Sequence, residues 1–168
     1  MFTTPILLIT FNRPDHVRQV LMEIRKQLPT QLYVCQDGAR DGNTLDQERV
    51  QQVRDVINEL VDWPCELHTL YHEKNLGCGA GPAAGISWFF SQVEMGIIIE
   101  DDAVPHPDFF EYAATLLEKY RYDESVRAIG SMKLYDEKFG DGSYYFSMMN
   151  RTLCAWATWR RAWQYFDY

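Results

Sequence analysis

No cluster of lysine and arginine appears along the 168 residues, and the net charge is −8. A nucleic-acid grip needs basic side chains along the phosphate path, so no nucleic-acid partner is expected. A single nucleotide held through a metal stays open. No apolar stretch approaches the roughly 20 residues that cross a bilayer, so no transmembrane segment is expected. Met1 runs almost directly into the apolar segment Pro5–Thr10. It lacks the basic start and small-residue cleavage site of a secretion signal. Cysteine is sparse: Cys35, Cys65, Cys78 and Cys154 form no C-x-x-C pair, and no histidine spacing completes a zinc site. Cys35 falls in a predicted strand and reads as a buried free thiol, which fits a reducing cytoplasm. Both common phosphate cradles are missing. The glycine run Gly77–Gly81 follows the third predicted strand, whereas a G-x-G-x-x-G fingerprint follows the first, and there is no G-x-x-x-x-G-K-[ST] loop. Internal repeats and low-complexity linkers are also lacking.

What is present is a globular composition: 46% hydrophobic and 14% aromatic, the aromatics crowding toward the C-terminus. The length suits one domain with a real core. Ile6–Ile9 reads as a buried strand, followed by Pro14 at a helix start and an apolar face of Val17, Val20, Leu21, Ile24 and Leu28. Leu32–Cys35 is a second strand, and Ala39–Asn43 a loop. Val50, Val53, Ile57, Leu60 and Val61 mark a second helix. Glu66–Tyr71 is a third strand, and Pro82 to Ser91 a third helix. Ile97–Ile99 is a fourth strand. Asp108 would help start a fourth helix with the face Phe109, Ala113, Leu116, Leu117 and Tyr120. Val126–Ile129 and Tyr144–Met148 are weaker strand readings. A further helix is expected to begin near Trp159 and to run past Tyr168, which would make the chain a piece of a longer protein. Strands alternating with helices predict an α/β fold with a mostly parallel sheet flanked by helices.

In such a sheet, ligands bind outside the carboxyl ends of the strands. After the first strand come Thr10, Phe11, Asn12 and Arg13. Phe11 would lie against a flat base, Asn12 would hydrogen-bond a ligand or cap the helix, and Arg13 would meet phosphate. After the second come Asp37-Gly38, a base acceptor or a turn. After the third come Asn75-Leu76-Gly77, whose glycine allows close approach or a tight turn. After the fourth come Glu100-Asp101-Asp102. Three adjacent carboxylates at the end of a buried strand repel one another unless a cation sits there. Mg²⁺ and Mn²⁺ take such oxygen ligands and keep room for phosphates. The competing reading of the triplet is a solvated acidic turn.

The segments Pro5–Arg13 (PILLITFNR), Gln36-Asp37-Gly38, Asn75-Leu76-Gly77 and Ile98–Asp102 (IIEDD) resemble a GT-A fold glycosyltransferase of the family 2 type. The chain is most similar to the branch related to N-acetylglucosaminyltransferases, whose bacterial members are labelled "hemolytic protein-like". Ala155–Trp163 is similar to that branch's W-A-T-W-R-R-A-W segment. Where relatives have Trp-Gly-Trp, this chain has Cys154-Ala155-Trp156. The resemblance implies one GT-A domain over 1–168, with a nucleotide-binding half at 1–102 and an incomplete acceptor-binding half at 103–168. It implies that Thr10, Phe11, Asn12, Arg13, Asn75 and Gly77 border the nucleotide and that Asp37 recognises the base. Asp102 would bind Mn²⁺ or Mg²⁺, with Glu100 and Asp101 on sugar and ribose hydroxyls, and Trp156 and Trp159 would wall the acceptor.

The activity implied is metal-dependent, inverting transfer of a sugar from a nucleotide-diphospho-sugar, with UDP as carrier, to a glycan or polysaccharide. The setting implied is the cytoplasm, at the inner face of a membrane. Asp167 and Asp141 are candidate bases, alongside a carboxylate beyond Tyr168. Four alternatives compete. A phospho-receiver domain would need an acidic pair after the first strand, and none is present. A nucleotidylyltransferase would want a glycine-rich, basic loop after the first strand. A nucleotide-sugar-binding domain would do no chemistry. A membrane-damaging protein would need an amphipathic membrane-facing segment, and none is seen. His106, near the triplet, is a loop histidine or an accessory ligand.

Overall fold

Apolar residues on both faces of the first strand require helices on both sides, and the computed structural model shows that arrangement. The residues described are 1–131, 144–148 and 154–167. They form β1 (Ile6–Thr10), α1 (Pro14–Gln27), β2 (Gln31–Gln36), α2 (Thr44–Leu60), β3 (Glu66–Tyr71), α3 (Gly77–Gln92), β4 (Met95–Glu100), α4 (Pro107–Lys119), β5 (Ala128–Gly130), β6 (Ala155–Trp159) and α5 (Arg160–Trp163). The sheet order is β3-β2-β1-β4-β6-β5. Strands β1 to β4 are mutually parallel, while β6 runs antiparallel to both β4 and β5.

Alternation along each strand divides the core. Ile6, Leu8, Val34, Ile97 and Ile99 pack under α1, α2 and α4. Leu7, Ile9, Tyr33, Cys35 and Ile98 pack under α3. Helix α3 lies very close to β2. A Cβ added at Gly85 would come within 2.6 Å of the Cys35 sulfur, so only glycine fits that crossing. The same packing holds Cys35 as a buried free thiol, and burial pushes its pKa up to about 12.

Several boundaries differ from the sequence expectation. Leu28 is no part of the α1 face. It is 47% exposed and adopts a left-handed conformation (φ 49°) that ends the helix just before Pro29. Helix α3 begins at Gly77, five residues before Pro82, which sits inside it. Residues Tyr144–Met148 form no strand. A helix does begin beside Trp159, at Arg160, but it is only four residues long, and an unexpected strand, Ala155–Trp159, precedes it. Asp141 lies outside the described residues.

Candidate functional site

Because β1 to β4 are parallel and adjacent, their carboxyl ends open on one edge, and the predicted residues meet there. The β1 and β2 ends are tied by the Asp37 N–H, which donates to the Thr10 carbonyl at 3.0 Å. Thr10 is buried, its hydroxyl 3.5 Å from the Cys35 carbonyl. Phe11 is held on both sides. Its N–H donates to Asp101 Oδ2 at 3.2 Å, and its carbonyl accepts from the buried Gln36 side chain at 3.0 Å.

The acidic triplet has a counter-ion within the chain. Arg13 Nη1 lies 3.3 Å from Asp101 Oδ1 and 3.1 Å from Asp102 Oδ2. Asp101 is buried, and burial raises its pKa against the opposing help of the Phe11 N–H and Arg13. Glu100 is half-buried; burial and then the charges of Asp102 and Asp101 push its pKa up. Asp102 is half exposed, and among the described residues its side chain is engaged only by Arg13. No three His, Cys, Asp or Glu side chains among the described residues form a ready metal cage. A cation that takes one or two carboxylates and completes its shell with phosphate oxygens and water does not require one. The hard oxygen donors of the triplet therefore fit Mn²⁺ or Mg²⁺.

Asp37 is drawn into the fold itself. Oδ1 accepts from the N–H groups of Gly38 (2.9 Å) and Leu76 (2.8 Å), and Oδ2 from Gly77 N–H (3.0 Å) and Asn75 Nδ2 (2.9 Å). Those four donors occupy the acceptor positions of a carboxylate. They cap the start of α3, which explains why the helix begins before Pro82. Gly77, with φ 84°, supplies the left-handed turn at this point. Asn75 also donates to the Gly38 carbonyl at 2.9 Å.

Asn12 does not cap α1. The cap position is Arg13, without a side-chain bond, and Asn12 Nδ2 instead donates to Asp46 Oδ1 at 2.7 Å. Sequence reasoning missed Asp46. It is 2% exposed and accepts from Arg40 Nε at 2.5 Å and Arg40 Nη2 at 2.9 Å. The Arg40 guanidinium lies 5.7 Å from the centre of the Phe11 ring. The one available signal was the pattern Asn43-Thr44-Leu45-Asp46, in which Asn43 caps α2 through the Asp46 N–H at 3.0 Å.

A cavity of about 460 Å³ opens beside Glu100, between α3, β6 and α5. Trp156 lines it together with Trp163, Tyr165 and Phe166. Trp163 and Phe166 stack with ring centres 4.2 Å apart, and Trp163 Nε1 donates to the Ser87 hydroxyl at 3.0 Å. Trp159 is a correction to the expected acceptor wall. Three residues along a strand reverse the face, so it points the other way. It is 2% exposed, packs with Phe110 and Leu117, and donates its indole N–H to the Leu117 carbonyl at 3.1 Å. Asp167 is exposed and does not line the cavity, although its neighbours Tyr165 and Phe166 do. His106 caps α4, accepting from the Asp108 N–H at 3.3 Å.

No protein of curated function matches the sequence. Among solved structures the chain is similar to 4-diphosphocytidyl-2C-methyl-D-erythritol synthase from Anaerococcus prevotii. The TM-score is 0.53 at 12% identity, over 96% of this chain and 73% of that one. At that identity the likeness shows the fold alone. The family model for glycosyl transferase family 2 matches residues 6–154. The mostly parallel six-stranded sheet flanked by helices is consistent with that family's fold. The chain belongs to glycosyl transferase family 2 and has the Rossmann-like GT-A fold.

Proposed function

We propose that the chain carries the donor site of an inverting, metal-dependent glycosyltransferase of the branch related to N-acetylglucosaminyltransferases, using a UDP-sugar. The observation behind this reading is the convergence of Phe11, Arg13, Asp101 and Asp102 at adjacent strand ends, on a chain of this family. Residues 1–102 form the nucleotide half, and 103–168 begin the acceptor half. Thr10, Phe11, Asn12, Arg13, Asn75 and Gly77 border the nucleotide, with Asp37 behind them. Glu100 and Asp101 meet sugar and ribose hydroxyls. Asp102 holds Mn²⁺ or Mg²⁺.

A cation held by Asp102 would supply Lewis-acid stabilisation of the charge on the departing diphosphate. Arg13 is placed to offer a second positive charge there, since its guanidinium is half exposed and already faces the triplet. The acceptor, a glycan or polysaccharide, enters the cavity beside Glu100, where sugar faces pack on Trp156, Trp163 and Phe166. A carboxylate must take the proton of the attacking hydroxyl. Asp167 is the candidate within the described residues, and its neighbours Tyr165 and Phe166 reach the cavity. No described helix is long and apolar enough to cross a membrane. We place the protein in the cytoplasm, working on a membrane-associated glycan.

The test is calorimetric titration of UDP and UDP-sugars with and without Mn²⁺, on the wild type and on Asp102→Ala. Metal-dependent UDP binding should weaken by about tenfold or more in the variant, as expected for losing a charged ligand. UDP binding that ignores both Mn²⁺ and the substitution would sink the metal-site reading. The nucleotidylyltransferase alternative wants a glycine-rich basic loop after β1, and Thr10-Phe11-Asn12-Arg13-Pro14 supplies none.

A further inference from the structure

Two loops at the nucleotide edge are joined by one buried carboxylate. Asp46 takes the Asn12 side chain from the loop after β1 and the Arg40 guanidinium from the loop after β2. Arg40 is itself 60% exposed, yet its head group is fixed by a two-point contact to a side chain only 3% exposed. The contact uses Nε and one N–H of Nη2. The remaining N–H groups have no partner among the described residues. They lie on a guanidinium plane beside the Phe11 ring, whose backbone is pinned at both its N–H and its carbonyl.

We propose that Arg40 determines which nucleobase the donor site accepts, and that Asp46 is the positioning residue that acts through it. The proposal rests on the donor-site reading above and deepens it. A flat base approaching Phe11 meets Arg40 at the same place. A guanidinium held in a fixed plane donates, within that plane, to acceptors on the edge of a base. Uracil offers carbonyl oxygens on that edge, whereas adenine offers ring nitrogens beside an amino group whose N–H donors oppose those of a guanidinium. Asp37 is the other candidate reader, but its oxygens already accept four hydrogen bonds within the chain. Among the described residues Arg40 therefore has unused donors beside Phe11, and they favour a carbonyl-bearing base.

The test is calorimetric titration of UDP, ADP and inorganic pyrophosphate, all with Mn²⁺, into the wild type, Arg40→Met and Asp46→Asn. Arg40→Met should weaken UDP about tenfold while leaving pyrophosphate within about twofold, the size of one lost charge-assisted contact. The preference for UDP over ADP should narrow by a similar factor. Asp46→Asn should move the same way by less, because the guanidinium is loosened rather than removed. A purely structural role for Asp46 would weaken all three ligands alike and leave the preference intact. Arg40→Met that binds UDP and ADP as the wild type does overturns the proposal, as does an equal loss for pyrophosphate. If the wild type takes up no UDP, the donor-site reading fails and carries this inference with it. If UDP binding depends on Asp102 but not on Arg40, only this inference fails.

Discussion

Asp46 gives up its proton far below the usual carboxylate range, with a pKa of about 2. The Arg40 guanidinium is the main cause, working against burial, and Asn12 adds to it. A carboxylate whose folded pKa is depressed contributes stability that is present above its unfolded value and is lost as pH falls through the folded one. The expected window runs from about pH 4 down to about pH 2. Acid unfolding followed by circular dichroism should show wild-type stability falling across that window, and Asp46→Asn should remove part of the fall. An unchanged acid profile in the variant would mean that the Arg40 contact does not persist in solution. This residue was illegible in the sequence because a buried acid on a helix looks like any other polar first-turn residue. Only the fold brings Arg40 and Asn12 to it. Arg13, Asp101 and Asp102 were legible for the opposite reason: each stands within three residues of the end of an apolar strand.

At the scale of elements, the start of α3 shows a side chain from one strand end fixing the helix after the next. Asp37 follows β2, and it caps the helix that follows β3. Asp37→Ala should cost about 1–2 kcal/mol, the range for losing a helix cap and its orphaned donors. Urea unfolding should show a lower midpoint with an unchanged slope. An unaltered midpoint would mean that water replaces the carboxylate at no cost. The sequence placed the α3 boundary late because glycine is a poor helix former and Pro82 looks like a first-turn residue. Tertiary capping by a carboxylate 40 positions earlier overrides both local signals. The long amphipathic helices α1, α2 and α4 needed no such help and were readable from the spacing of their apolar residues.

For the whole molecule, the parallel half of the sheet was readable from its apolar runs; of the antiparallel part, Val126–Ile129 foreshadowed β5, and β6 was not read. Strand β6 is short and aromatic, and its residues resemble an acceptor wall, so its hydrogen-bonding role was hidden. Its two tryptophans serve opposite sides of the sheet. Trp159→Ala should cost about 3–5 kcal/mol, as for a large core truncation. Trp156→Ala, on the half-buried cavity side, should cost much less stability and instead weaken glycan binding. Paired urea curves check the first claim, and titration with acceptor oligosaccharides checks the second. Equal destabilisation by the two would contradict the two-sided reading of β6.

The position of β6 between β4 and β5 also bears on how the chain is made. Strand β4 emerges from the ribosome long before the partner that covers its outer edge. Until residues 154–159 are synthesised, the Glu100 N–H has no Cys154 carbonyl to meet, and Met95–Ile99 present an edge of unpaired backbone N–H and C=O groups. Strand β5 cannot fill the gap, because its hydrogen bonds run to β6. The nascent chain therefore carries a sticky, half-finished sheet through much of its translation, which is when chaperone contact or misassociation would be concentrated.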